Sequence, residues 1–482
     1  MNRVLTLLVL VVCSISVFAG DGVVRRAGKP VAGQYIAVLE DSVTHGRSQI
    51  AADLTFRFRG HTRLVFAGFN GFLFEGTHET AQAISRDPRV AWVEENAIGE
   101  PAQAANSTTR PFPPGWAIDR GGEAMPPLDS TGGPGCGMNG EGVHIYVMDG
   151  GINDVDGAEF SYLDGRSGSR LQHLYKVLFG SGMVYGDTDA VGHGTAVASL
   201  AAGNRHGLAR NSQVRNVKIA NNGFTNTAYL IDGISRIDVD HYNRNRNNPT
   251  PLPSVVNISY YLFVINPSQT EANFSALDQA IQNSVRGCST TEMVNYLTFD
   301  GFNVTREQCT SFNSAPQQYG LTYVVSAGNE NSSAVTGTPA RLGDQVVGTI
   351  TVGATMMRDE WTTDWRGIWP EFGANKGSNY GPKVDIWAPG TKVNVFRRDY
   401  GIDPVTGAPT VTREETGTSM ASPFVAGVVA RLARTYSWYT SQQLEGKLKS
   451  DAVSTYPDGV TPMVRDIPGG RFVRYFQGKC RP

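Results

Sequence analysis

The stretch Val143-His144-Ile145-Tyr146-Val147-Met148-Asp149-Gly150-Gly151 is a short, largely apolar run that ends in a carboxylate and turns at two glycines. It is too short for an amphipathic helix and is bounded by turn residues, the pattern of a strand buried on both faces. Similar runs recur at Val214 to Ile219, Ser254 to Ile258, Leu321 to Ser326 and Thr349 to Val352. Between and beyond them the spacing predicts helices over His193 to Ala202, Ala228 to Tyr242 and Ser419 to Thr435. Buried strands interleaved with helices predict an α/β fold with a predominantly parallel central sheet flanked by helices on both faces. In such sheets reactive side chains gather at the carboxyl ends of the strands, which is where Asp149 stands.

Upstream of this region, Gly33 to about Glu100 reads as a smaller α+β unit. Tyr35 to Leu39 and Val90 to Glu94 have strand character, and Glu79 to Arg86 has helical character. The following stretch, Pro101 to Gly115, is rich in Ala, Asn, Ser, Thr and Pro and reads as an exposed linker where chains are cut. Two polar stretches, Asn266 to Gly320 and Met357 to Asn375, read as insertions or long loops. At the very start, Arg3, the apolar run Val4 to Val12 and small residues at Val17 and Ala19 have the form of an export signal cleaved after Ala19. That run falls short of the roughly 20 residues a membrane span needs, and no later segment reaches them, so the reading is a secreted, extracellular protein with no membrane partner.

The 482 residues carry 42 Lys plus Arg against 44 Asp plus Glu, without a long run of one sign, so no nucleic-acid surface is expected. With Cys13 in the signal, four cysteines remain: Cys136, Cys288, Cys309 and Cys480. An even number suits disulfides in an oxidising compartment. Three pairings are open; the proximity of Cys288 to Cys309 favours joining them, leaving Cys136 for Cys480. Triplets for glycan attachment occur at Asn106, Asn273, Asn303 and Asn331, and at Asn257 inside a predicted buried strand.

Three short stretches carry the chemistry. In Gly417-Thr418-Ser419-Met420-Ala421-Ser422-Pro423 a serine opens an apolar helix, where its hydroxyl and the helix N-terminus meet a developing negative charge. Such a serine is equally at home as a plain helix cap. Gly192-His193-Gly194-Thr195 presents an imidazole between glycines at the start of a small-residue helix, with open approach for a general base. His144, His173, His206 and His241 have no such setting and read as structural. Asp149, by itself a common turn residue, can hold an imidazole tautomer.

Taken in the order Asp149, His193, Ser419, these stretches resemble the subtilisin-like serine peptidases, and within them the proteinase K-like branch with an inhibitor-type propeptide. The serine and histidine boxes carry the resemblance, supported by Ser326-Ala327-Gly328-Asn329-Glu330, Val352-Gly353-Ala354, Ser378-Asn379-Tyr380-Gly381 and Ala388-Pro389-Gly390. The resemblance implies a secreted endopeptidase with Asp149, His193 and Ser419 as catalytic triad and Asn329 as side-chain donor of the oxyanion hole. It implies substrate binding along Ile258, Ser259, Tyr260 and Tyr261, with protein or peptide substrates. Its domain plan is a signal over 1–19, a propeptide over 20–105 that acts as intramolecular inhibitor, and a peptidase domain over 106–482, active as a monomer. The propeptide cut is expected between Asn96 and Arg110. The chemistry requires no cofactor; structural calcium is allowed by the resemblance, with no ligand set legible.

This chain departs from the family pattern at Gly150, where Ser or Thr usually follows the aspartate. It departs again at Ala196 and Ser199, and at Tyr261 and Leu262, which stand where glycines usually line the substrate strand. Two alternatives follow: a binding protein that keeps the fold without turnover, and a narrow processing protease whose cleft is restricted by the Asn266 to Gly320 stretch.

Overall fold

A computed structural model describes residues 23–43, 46–102, 117, 139–154, 157–176, 189–221, 223–245, 253–263, 275–286, 321–358, 363–402, 409–454, 464–465 and 471. The strand His144–Asp149 lies at the heart of a nine-stranded sheet. It pairs in parallel with Ser254–Ile258 on one side and Gln213–Lys218 on the other. The parallel order continues outward through Leu321–Ser326 and Thr349–Arg358 on the first flank and Leu171–Lys176 on the second. Ile386–Pro389 adds in parallel beside Thr349–Arg358.

The two-residue strand period sorts the core. Ile145 and Val147 point to one face, where they pack with the helices His193–Ala202 and Thr418–Thr435. Tyr146 and Met148 point to the other, against the helices Thr227–Asn245 and Ala276–Arg286. Both faces are covered, so the central strand is buried along its whole length and apolar from Ile145 to Met148. The expected α/β architecture is the one observed.

The early unit is an antiparallel sheet of His61–Val65, Gly71–Glu75, Pro30–Leu39 and Val90–Pro101. Its own helices, Arg47–Arg57 and His78–Ser85, cover one face through Leu54, Ala81 and Ile84. The opposite face, with Ile36, Val38, Phe66, Phe69 and Leu73, shares a core with Thr227–Asn245 and Ala276–Arg286. Polar contacts fix the same contact surface. The Ala276 N–H donates to Glu94 Oε2 at 3.0 Å and the Ala228 N–H to Asn96 Oδ1 at 3.2 Å, so the early unit satisfies open donors in the first turns of both helices.

Three expectations are corrected. Met357 to Asn375 is not a long loop: Thr363–Arg366 pairs antiparallel with the end of Thr349–Arg358, and Trp369 is fully buried, its Nε1 donating to Thr391 Oγ1 at 2.9 Å. The polar stretch from Asn266 contains the helix Ala276–Arg286. The linker does not begin at Pro101, because Val90–Pro101 is one strand and Ala102 after it is buried. The signal and the cysteines Cys136, Cys288, Cys309 and Cys480 lie outside the described residues, as do Asn106, Asn273 and Asn303; Asn257 is fully buried. No helix among the described residues is long and apolar enough to cross a membrane.

Candidate active site

Asp149 ends its strand fully buried, and the Gly150 N–H donates to its Oδ1 at 2.7 Å. His193 is the first residue of its helix. Gly192 before it has φ of 85°, a left-handed conformation that glycine adopts without strain. The next residue, Gly194, passes so close that a Cβ there would stand 2.2 Å from Gly151 O and 3.0 Å from Asp149 Cβ. That approach seats the imidazole on the carboxylate: His193 Nδ1 donates to Asp149, at 2.9 Å from Oδ1 and 3.0 Å from Oδ2. Burial alone lowers the imidazole pKa, but the charge of Asp149 and this hydrogen bond outweigh it and hold the pKa above its ordinary value.

Asp189, which sequence reading passed over, braces the same turn. Its Oδ1 accepts the N–H of Gly192 at 2.8 Å, and its Oδ2 accepts both the N–H and the hydroxyl of Thr195 at 2.8 Å. A buried carboxylate at a helix start satisfies orphan donors and suits the positive end of the helix dipole. The signal for it was there, an aspartate four residues ahead of the histidine.

Ser419 is the second residue of its helix and fully buried. Pro423, four residues on, has no N–H to give back to Ser419 O, and Ser259 Oγ donates to that carbonyl instead at 3.2 Å. Tyr260, beside Ser259, sets its ring edge-on to His193 with centroids 6.0 Å apart. Ser259, the residue between the strands Ser254–Ile258 and Tyr260–Phe263, and its neighbour Tyr260 thus touch the serine and the histidine respectively. Asn329 joins them through Thr418, whose N–H and hydroxyl both donate to Asn329 Oδ1 at 2.9 Å. With its oxygen held there, the amide keeps Nδ2 as a free donor. Ser419 Oγ, His193 Nε2 and Asn329 Nδ2 are all buried without a hydrogen-bond partner. Each such atom costs about 1–3 kcal/mol, so three in one cleft mark a site kept ready for another group.

That group is already partly there. Ala102 of the early unit offers its carbonyl to the Ser419 N–H at 2.9 Å, while the Ala102 N–H donates to Ser259 O at 3.0 Å. Upstream, Pro101 pairs with Tyr260 and Glu100 with Tyr261, while Gly99 pairs with Thr225 and Ile98 with Asn226 on the opposite side. The end of the early unit is therefore the middle strand of a three-stranded antiparallel arrangement, the way an extended peptide adds to a sheet edge. Of the four predicted substrate residues, Ser259, Tyr260 and Tyr261 face this strand; Ile258 is packed instead in the core beneath the sheet. His144, His173, His206 and His241 are engaged with Arg215, Asn216, Thr412 and Ser254 respectively, consistent with structural roles.

For a metal, the described residues offer one group of three carboxylates close enough to share an ion, Asp344, Asp385 and Glu445. Lys449 Nζ stands among them, 2.9 Å from Asp344 Oδ1, 2.6 Å from Asp385 Oδ1 and 2.8 Å from Glu445 Oε1. The chain's own ammonium fills that place, and the group does not fit calcium.

Comparison with known proteins places the chain in a family. The family model for the subtilase family (Peptidase S8) matches residues 140–469. The chain is 30% identical over 295 residues to subtilisin-like protease 2 of Arthroderma otae, covering 61% of this chain and 50% of that protein. It is 27% identical over 387 residues to an extracellular serine proteinase of Thermus sp., covering 80% of this chain and 72% of that one. The chain thus spans about half the length of the fungal relative. In fold it is similar to the crystal structure of fervidolysin from Fervidobacterium pennivorans, a keratinolytic enzyme related to subtilisin, with TM-score 0.58 and 16% identity over 94% of this chain and 62% of that one. With a family match over most of the chain, the chain belongs to the subtilase family.

Proposed function

We propose that the chain is a secreted serine endopeptidase made as a zymogen, which hydrolyses peptide bonds in proteins and first cuts itself between Ala102 and Gln103. The observation that carries this reading is the Ala102 carbonyl on the Ser419 N–H, flanked by the unpaired Oγ, Nε2 and Nδ2 atoms. His193 Nε2 takes the proton of Ser419 Oγ, and Oγ attacks the Ala102 carbonyl carbon. The oxyanion is held by the Ser419 N–H and Asn329 Nδ2. His193 then gives the proton to the leaving nitrogen of Gln103, which leaves an acyl-enzyme through Ala102. A water, deprotonated by His193, attacks the acyl carbon; the bond to Ser419 Oγ breaks, Ala102 leaves as a free carboxylic acid, and His193 returns the proton to Oγ. No cofactor takes part.

After the cut, residues up to Ala102 stay paired to Tyr260 and Tyr261 and block the cleft until removed; on this reading the early unit acts as an inhibitor and the propeptide ends at 102. The extracellular Thermus relative and the signal-like start support secretion. Treatment with a fluorophosphonate probe tests the chemistry: the mature protein should be labelled once, at Ser419, and Ser419→Ala should take no label. A folded, mature chain that takes no label would favour a binding protein.

A further inference from the structure

We infer that Tyr261 occupies the pocket for the side chain preceding the cleaved bond, and that Leu262 with Thr225 occupies the one for the fourth residue before that bond, so the enzyme cuts after small residues, Ala, Gly or Ser, with glycine at the fourth position. The inference rests on cleavage after Ala102 and specifies which substrates that same site accepts.

Directly opposed residues of an antiparallel ladder share a face, and faces alternate along the strand. Ala102 lies opposite Ser259 and Glu100 opposite Tyr261, so Ala102 and Tyr261 are diagonal neighbours on one face. Tyr261 does not turn to solvent from there; it is 3% exposed. Its ring lies against Gly328, where a Cβ would stand 2.7 Å from Cδ2 and Cε2, and against Gly337, where a Cβ would stand 2.0 Å from Cζ. The hydroxyl meets Thr336 Oγ1 at 2.7 Å, and Phe263 packs edge-on at 5.1 Å. Gly328 belongs to the wall that carries the oxyanion donor, because it precedes Asn329 and its N–H donates to Thr418 Oγ1 at 3.1 Å. The phenol ring therefore fills the space between the substrate strand and that wall, the space that residue 102 faces. A methyl group at Ala102 is already enclosed, at 3% exposure. A larger side chain would have to evict a ring pinned by a hydrogen bond and two glycine backbones.

The fourth position gives an independent observation of the same kind. A Cβ on Gly99 would stand 2.7 Å from Thr225 Cγ2 and 3.1 Å from Leu262 Cδ1. Thr225 cannot swing away freely, because its hydroxyl donates to Ile219 O at 2.7 Å.

The test uses the mature enzyme and quenched peptides built on Gly-Glu-Pro-X-Gln, with X as Ala, Gly, Ser, Leu or Phe, and a second series with Leu at the fourth position. Wild type should prefer Ala over Leu or Phe by about 10²-fold in kcat/KM, the scale on which a closed pocket rejects extra carbons. Tyr261→Gly should raise the Leu and Phe peptides at least about tenfold relative to Ala, while Tyr261→Phe keeps the wild-type order. Leu at the fourth position should lower cleavage of the Ala peptide. Leu or Phe cleaved by wild type within threefold of Ala would overturn the inference, and this result needs no variant to fold. Fluorophosphonate labelling without cleavage of any small-residue peptide would overturn it too, while leaving the catalytic reading intact. Absence of labelling would instead bring down the catalytic reading and the inference together.

Discussion

Gly194→Ala is a sharp test of how the imidazole is placed, because the backbone of Gly194 passes directly beside Asp149. The new methyl would stand 2.2 Å from Gly151 O and 3.0 Å from both Asp149 Cβ and Oδ1. An ordinary contact needs about 3.5 Å, so the histidine helix and the aspartate turn must part by roughly 1 Å. A misplacement of that size in a catalytic group lowers the rate by about 10²-fold. Overpacking also costs about 1–3 kcal/mol of stability, offset in part by alanine's helix preference of roughly 0.5–1 kcal/mol. The assays are kcat/KM on the Gly-Glu-Pro-Ala-Gln peptide, the rate of fluorophosphonate labelling, and thermal unfolding. The expected pattern is a large loss of turnover with a modest loss of stability. Gly150→Ala, whose Cβ would stand at an ordinary 3.6 Å from Asp189 Oδ1, is the contrasting variant and should lose less than about threefold. A folded Gly194→Ala enzyme with wild-type turnover would show that the close approach at Gly194 does not place the imidazole.

Asn329→Ala removes one donor from the oxyanion and should lower kcat by about 10²–10³-fold with little change in KM, the magnitude known for the equivalent donor of a subtilisin; a change confined to KM would contradict the role given to Nδ2. Because Asp149 holds the His193 pKa up, the base stays protonated to a higher pH, so the acid limb of kcat/KM should have its midpoint above 6.5. Asp149→Asn should shift that limb downward and cut kcat by about 10⁴-fold. Lys449→Ala leaves Asp385, already pushed up to about 7 by burial, without its counter-charge, and should cost about 3 kcal/mol in thermal unfolding. An unchanged melting temperature would show that the ammonium is not needed there.

The interleaved strands and helices were legible because the central strands are buried on both faces and rich in apolar residues, as Ile145 and Tyr146 on opposite faces illustrate. The serine, histidine and aspartate were legible from small residues around them, which the geometry requires for close approach at Gly194 and for the left-handed turn at Gly192. The antiparallel strand Thr363–Arg366 was not, since its four residues, Thr, Asp, Trp and Arg, are mostly polar and read as loop. Within the polar stretch from Asn266, the helical spacing of Leu277, Ile281 and Val285 was present but went unread among polar neighbours. The end of the strand at Pro101 had no local signal at all, because it exists through pairing with Tyr260 and Tyr261, some 160 residues away. Tyr261 was visible as a departure from glycine, but only packing shows that its ring points inward against Gly328 and Gly337.

Self-cleavage at one bond by one serine is measured directly by the N-terminal sequence and intact mass of the exported protein beside a Ser419→Ala control. The wild-type chain should begin at Gln103, and in the control the Ala102–Gln103 bond should be intact. A control cut at the same bond, or a wild-type chain cut elsewhere, would contradict it.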